Sequence, residues 1–240
     1  MLNYSQFNYA SIQAVVFMAE GSQFSQPNLL ATILGRYAGR FDGPVQALPL
    51  PDDAPPEIPR VILQSRDGVF KVQAGLTRVD SFWIATQQPT NQSPGLSCVE
   101  VLEHYIRASQ LPLRVGRLAL VITRVAELSN PAQSLIDRFC NAESREQPFN
   151  NSESFEIHNH KRYLLRSIDL QINSWVRCKA VTLALPQQEQ KKLAVVEQDI
   201  NTLQEEFDQN TFDAGRITDF FTGAAEEADS ILRIYFPEEV

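Results

Sequence analysis

A chain of 240 residues with 43% hydrophobic and 21% charged content can bury a sizeable core, as one large domain or two fused lobes, and is not compositionally disordered. Its apolar runs, typified by "IQAVVFMA" and "LALVI", fall well short of the roughly 20 residues that a membrane helix needs. The net charge of −8 is uneven: residues 193–240 hold twelve acidic and two basic side chains, which suits either a basic partner surface or the basic clusters of this same chain rather than nucleic acid.

Taken in chain order, "FNYASIQAVVFMA" is rich in β-branched and aromatic residues and reads as a strand. A helix follows in "SQPNLLATILGRYAGRF", with Pro27 near its start and Leu30, Ile33, Leu34, Tyr37 and Phe41 at helical spacing. The proline-rich stretch 44–59 is an extended loop. The period then changes to two. Asp67-Gly68 turns a hairpin whose second strand alternates Phe70, Val72 and Ala74 with Lys71 and Gln73. A further strand carries Val79, Ser81 and Trp83 on one face, and "LSCVEVLEHYIRAS" is a helix burying Leu96, Val99, Leu102 and Ile106.

The same order recurs. "LRVGRLALVITRVAEL" is a strand, and "SNPAQSLIDRFC" is a helix with Asn130 as N-cap and Pro131 in its first turn. After the polar loop "ESREQPFNNSES", residues 155–185 read as three strands, with a hairpin turn at Asn159–Arg162. A polar "PQQEQKK" leads to a strand around Val195 and Val196. The last segment is a helix, with Ile217, Phe220, Phe221, Ala224, Ala228, Ile231, Leu232 and Tyr235 as its apolar stripe.

This pattern predicts an α+β fold of two similar lobes of antiparallel sheet, each covered by helices, with strand–helix–strands–helix occurring twice. The lobes are 1–110 and 111–240. The link at Gln110–Pro112 is too short for a flexible spacer, so they pack as one compact unit. The N-terminus "MLNYSQFNYASIQAVVF" shows no secretory or lipidation signal, and the expected location is the cytoplasm. Cys98, Cys140 and Cys178 form no C-x-x-C and are expected to be reduced and packed as small hydrophobes.

Candidate chemistry is sparse. Glu197 and Asp199 project from one face of a strand, and with Asp169 they could hold a divalent metal for a hydrolase or nuclease. The simpler reading is a solvated strand end. Arg107, Arg114, Arg117 and Arg124 are the best candidate nucleic-acid contacts. His158 and His160 belong to the expected turn, and His104 to a helix surface. No nucleotide-binding or nucleophile-elbow motif occurs, so no catalytic residue, metal or cofactor is assigned. Glu226, Glu227 and Asp229 on the last helix form an acidic surface suited to a protein partner.

The segments "PRVILQSRDGVFKVQAGLTRVDSFW", "VEVLEHYI", "VGRLALVITRV" and "VVEQDINTLQEEFDQNTFDAGRITDFFTGAAEEADSILRIYF" resemble a sporadically distributed group of uncharacterised bacterial proteins. More broadly, the outline of antiparallel sheet, helices and acidic charge looks like SecB-like chaperones. The resemblance implies protein binding, such as chaperoning an unfolded or toxic client. The expected function is a non-enzymatic protein-binding module, as an adaptor, antitoxin-like or chaperone-like component of a bacterial multi-protein system, and the expected state a homo-oligomer.

Overall fold

The computed structural model of the chain describes residues 2–19, 25–51, 53–86, 88–91, 93–109, 113–183 and 190–238. The expected link at 110–112 and most of the "PQQEQKK" loop lie outside them. The fold is mixed α+β, with nine strands joined in a single antiparallel sheet and five α-helices among the described residues. The strands are β1 (Asn8–Met18), β2 (Gln46–Ala47), β3 (Val61–Gln64), β4 (Phe70–Ala74), β5 (Arg78–Ile84), β6 (Val115–Glu127), β7 (Glu156–Leu165), β8 (Leu170–Leu183) and β9 (Lys191–Thr202). They lie in the order β2-β3-β4-β5-β1-β6-β9-β8-β7, so β1 and β6 meet in the middle and the sheet runs unbroken through both halves of the chain.

The helices are α1 (Gln26–Tyr37), α2 (Ser97–Ala108), α3 (Pro131–Phe139), α4 (Ala142–Glu146) and α5 (Ala214–Tyr235). Their starts follow local chemistry. The Ser25, Asn130 and Asp213 side chains each accept a hydrogen bond from an amide in the first turn of α1, α3 and α5. The α2, α3 and α5 helices pack on the same face of the sheet, and α1 packs against α2. That face buries Ile12, Ala14 and Val16 of β1, Leu118, Leu120 and Ile122 of β6, and Val196 and Ile200 of β9. Adjacent residues Phe220 and Phe221 are both 0% exposed. Neighbours on a helix diverge by about 100°, and both can be buried because α5 contacts the sheet on one side and α2 on the other.

At the centre, Arg124 lies under α5 and is only 2% exposed. Its guanidinium donates to Gln198 Oε1 at 2.5 Å, to the Tyr9 hydroxyl at 2.9 Å and to the Asp229 carboxylate. It also sits 4.4 Å from the centre of the Tyr9 ring. Gln198 Nε2 in turn donates to the Ala228 carbonyl at 2.6 Å. One buried cation therefore ties β1, β6, β9 and α5 together.

Three expectations are corrected. Residues 155–185 form two long strands rather than three. His158–Arg162 is mid-strand in β7, and the reversal falls at Arg166–Asp169, where Asp169 takes φ +51°. A short Asp side chain tolerates that left-handed conformation. The proline-rich loop contributes a two-residue strand, β2, and the polar loop after α3 begins with α4, capped by Asn141. No helix among the described residues is long and apolar enough to cross a membrane.

Removing Asp229 strands the Arg124 charge. Asp229→Ala is expected to cost about 3 kcal/mol, the low end for a broken buried pair because Asp229 is partly open to water. Arg124→Met combined with Asp229→Ala should recover part of that loss, since no buried charge is then left unpaired. Urea unfolding midpoints of the three proteins check this.

Candidate functional site

Strand β7 is the last in the sheet, and one side of its backbone has no neighbouring strand among the described residues. The α5 helix lies over β6 and β9, and α3 over β8 and β9. Between the C-terminal half of α5 and the β7–β8 hairpin, a cleft of about 450 Å³ opens on the helix side. Alternation places Asn159, Lys161 and Tyr163 of β7 on one wall. Helical spacing places Glu227, Ile231, Ile234 and Tyr235 on the other. Ser174 and Val176 of β8 form the floor.

The walls are joined at both ends. Tyr163 Oη donates to Glu227 Oε1 at 2.5 Å, and Asn159 Nδ2 donates to the Tyr235 hydroxyl at 2.5 Å. Four strand residues span about 13 Å and eight helix residues about 12 Å, so the two walls run side by side with matched lengths. At the rim Ile234 is 69% exposed, the most open large apolar side chain among the described residues. Burial, and then the Glu227 carboxylate, hold the Tyr163 phenol well above its usual range.

The three acidic candidates on α5 separate. Glu227 lines the cleft. Glu226 is exposed beside a second hollow formed with Arg166, Asp169, Arg216 and Asp219. Asp229 turns inward to Arg124. Arg124, expected as a nucleic-acid contact, is thus held by Asp229, expected as a protein contact. The other arginines are dispersed. Arg114 bonds to Asp208, Arg117 lies on the helix-free face of the sheet beside Asn201 and Gln204, and Arg107 is near the end of α2.

The expected carboxylate trio does not converge. Glu197 pairs with Arg177, its register partner on β8, and Asp199 accepts from Asn201 Nδ2 at 2.9 Å. Asp169 sits in the β7–β8 turn. The β8–β9 register, with Ile172 opposite Thr202, puts it about 20 Å along the sheet from Asp199. Metal ligands need about 2–2.6 Å to a shared ion. Among the described residues no group of three or more His, Cys, Asp or Glu is placed to hold a metal.

His158 and His160 are exposed on the helix-free face. His160 stacks on Trp175 with ring centres 4.0 Å apart and planes 6° apart. His104 Nε2 meets the Thr32 carbonyl at 3.2 Å, joining α1 to α2. Paired side chains occupy much of this helix-free face. Arg78 binds Asp80, and Arg78 and Arg117 both stack on Phe17, at 5.1 and 4.9 Å. The cleft residues Asn159, Tyr163, Ile234 and Tyr235 were not singled out from sequence as a site. The available signal was the alternation Ile157, Asn159, Lys161, Tyr163, obscured by reading His158–Arg162 as a turn.

Compared with models of known protein families, and with the curated proteins, the chain has no match.

Two expectations follow from these environments. Burial pushes the Cys98 and Cys178 thiols up to about 12, while Cys140 is half-buried. Iodoacetamide at pH 8 should therefore label Cys140 first in the native protein, as read by intact mass and peptide mapping. Folding holds Tyr163 neutral, so its contribution to stability is present below its unfolded pKa of about 10 and is lost as pH rises beyond it. The stability of Tyr163→Phe relative to the parent should improve above pH 10, measured by urea unfolding across the alkaline range.

Proposed function

We propose that the chain is a non-enzymatic protein-binding module. It captures an extended segment of a partner by strand addition to the outer edge of β7, with alternate side chains of the segment lying against the outer rim of the cleft beside the side chains of β7. The observation that carries this reading is the coincidence of an unpaired strand edge with an apolar cleft along the same strand. Main-chain hydrogen bonds to β7 would supply affinity, and the cleft would select side chains. Glu227 belongs to the cleft and Glu226 lies one residue away, which supports the acidic part of α5 as a contributor.

An adaptor, antitoxin-like or chaperone-like role in a bacterial multi-protein system fits such capture of extended chain, as does the SecB-like outline. The sheet order is compatible with two similar lobes, 1–110 and 111–240. Each lobe sets its first strand beside its last, β1 by β5 and β6 by β9, and the remaining strands follow outward.

The test is selection of random ten-residue peptides displayed on phage against the whole protein. Recovered peptides should bind at least about tenfold more weakly to Ile234→Asp, equivalent to about 1.4 kcal/mol. They should also weaken on the paired changes Glu226→Lys and Glu227→Lys, because the latter breaks the Tyr163–Glu227 bond that closes one end of the cleft. Peptides whose affinity is indifferent to all of these substitutions would overturn the reading.

A further inference from the structure

We infer that the segment taken by this cleft carries an acidic residue opposite Lys161 and an apolar residue two positions away, toward Ile234. The inference rests on the strand-addition reading and names the chemistry of the occupant. A strand laid along β7 presents alternate side chains to the cleft, opposite Asn159, Lys161 and Tyr163. The roughly 13 Å between the two bridged ends admits three such side chains and no more.

Each position has a distinct environment. Near Asn159 the wall is Ile234 and Tyr235 over Val176, which suits a branched apolar side chain. In the middle stands Lys161, exposed, with no hydrogen bond or ion pair among the described residues. The other charges at the cleft are engaged. Glu227 accepts from Tyr163, and Arg162 pairs with Glu205 at 2.6 Å. The unmatched charge of the cleft is therefore positive and central, and a carboxylate on the added strand would meet it as a direct cross-strand pair.

A second copy of this chain does not meet the requirement through its own β7. The cleft-side residues of β7 are Ile157, Asn159, Lys161, Tyr163 and Leu165, which include no acid. Pairing β7 with β7 brings no carboxylate to Lys161. The occupant we assign is an extended segment of a different polypeptide rather than a second copy's β7, with an apolar residue and an acidic residue at alternate positions.

The probe is a fluorescein-labelled ten-residue peptide that alternates threonine with leucine and carries glutamate in place of one central leucine. A matched peptide carries lysine at that place. Fluorescence anisotropy against the full-length protein should favour the glutamate peptide by about two- to fivefold over a glutamine version, as expected for a partly exposed pair. The lysine peptide should bind weakest. Lys161→Glu should reverse the order, and Lys161→Gln should abolish the preference. If Ile234→Asp weakens every peptide but Lys161→Glu leaves their order unchanged, strand addition stands and this inference falls. If none of the peptides binds, or Ile234→Asp has no effect, the strand-addition reading falls and takes the inference with it.

Discussion

Arg124 is a charged side chain in a place where charge is costly, and it persists there because three partners from three other elements surround it. Tyr9 belongs to the first strand, Gln198 to the last, and Asp229 to the final helix. The position of α5 over the sheet is therefore set by directional bonds as well as by apolar packing. An apolar stripe alone would let the helix slide along the sheet by a turn. The Arg124–Asp229 bond and the Gln198–Ala228 bond fix its register. The cleft depends on that register, since Glu227 and Tyr235 meet Tyr163 and Asn159 only when α5 is seated at this height.

The two ends of the sheet are treated differently. At one end β2 is only two residues long, and the proline-rich segment follows it. Short strands and prolines are common ways to blunt an edge. At the other end β7 runs for ten residues with its outer backbone unpaired among the described residues. Among the described residues, Lys161 and Arg162 place charge on this edge, which discourages pairing with basic or identical strands.

Much of the architecture was legible in the sequence. The Asp67-Gly68 hairpin, the Asn130-Pro131 helix start and the apolar stripe of α5 were all read from local chemistry, and all are present. What failed was the stretch around β7. An edge strand has two wet faces, so His158, Asn159, His160, Lys161 and Arg162 lack the polar–apolar contrast that marks a half-buried strand. Ile168, Leu170 and Ile172 alternate with Ser167, Asp169 and Gln171 as a continuous strand would, yet Ile168 lies in the β7–β8 turn. Its side chain instead packs near Gly223 of α5, where a Cβ would come within 2.7 Å of it. The pairing of Arg124 with Asp229, 105 residues apart, has no local signature, and each residue looked like a surface charge.

The seam between β1 and β6 has a consequence for the integrity of the chain. Its ladder extends from Asn8 opposite Val125 to Met18 opposite Val115, so neither half owns a finished sheet. A chain severed between the halves would present two long raw strand edges, one on β1 with Val15 and Val16 and one on β6 with Leu118 and Leu120, all buried before the cut. Such fragments are built to find one another. Keeping both halves in one polypeptide keeps those two edges paired.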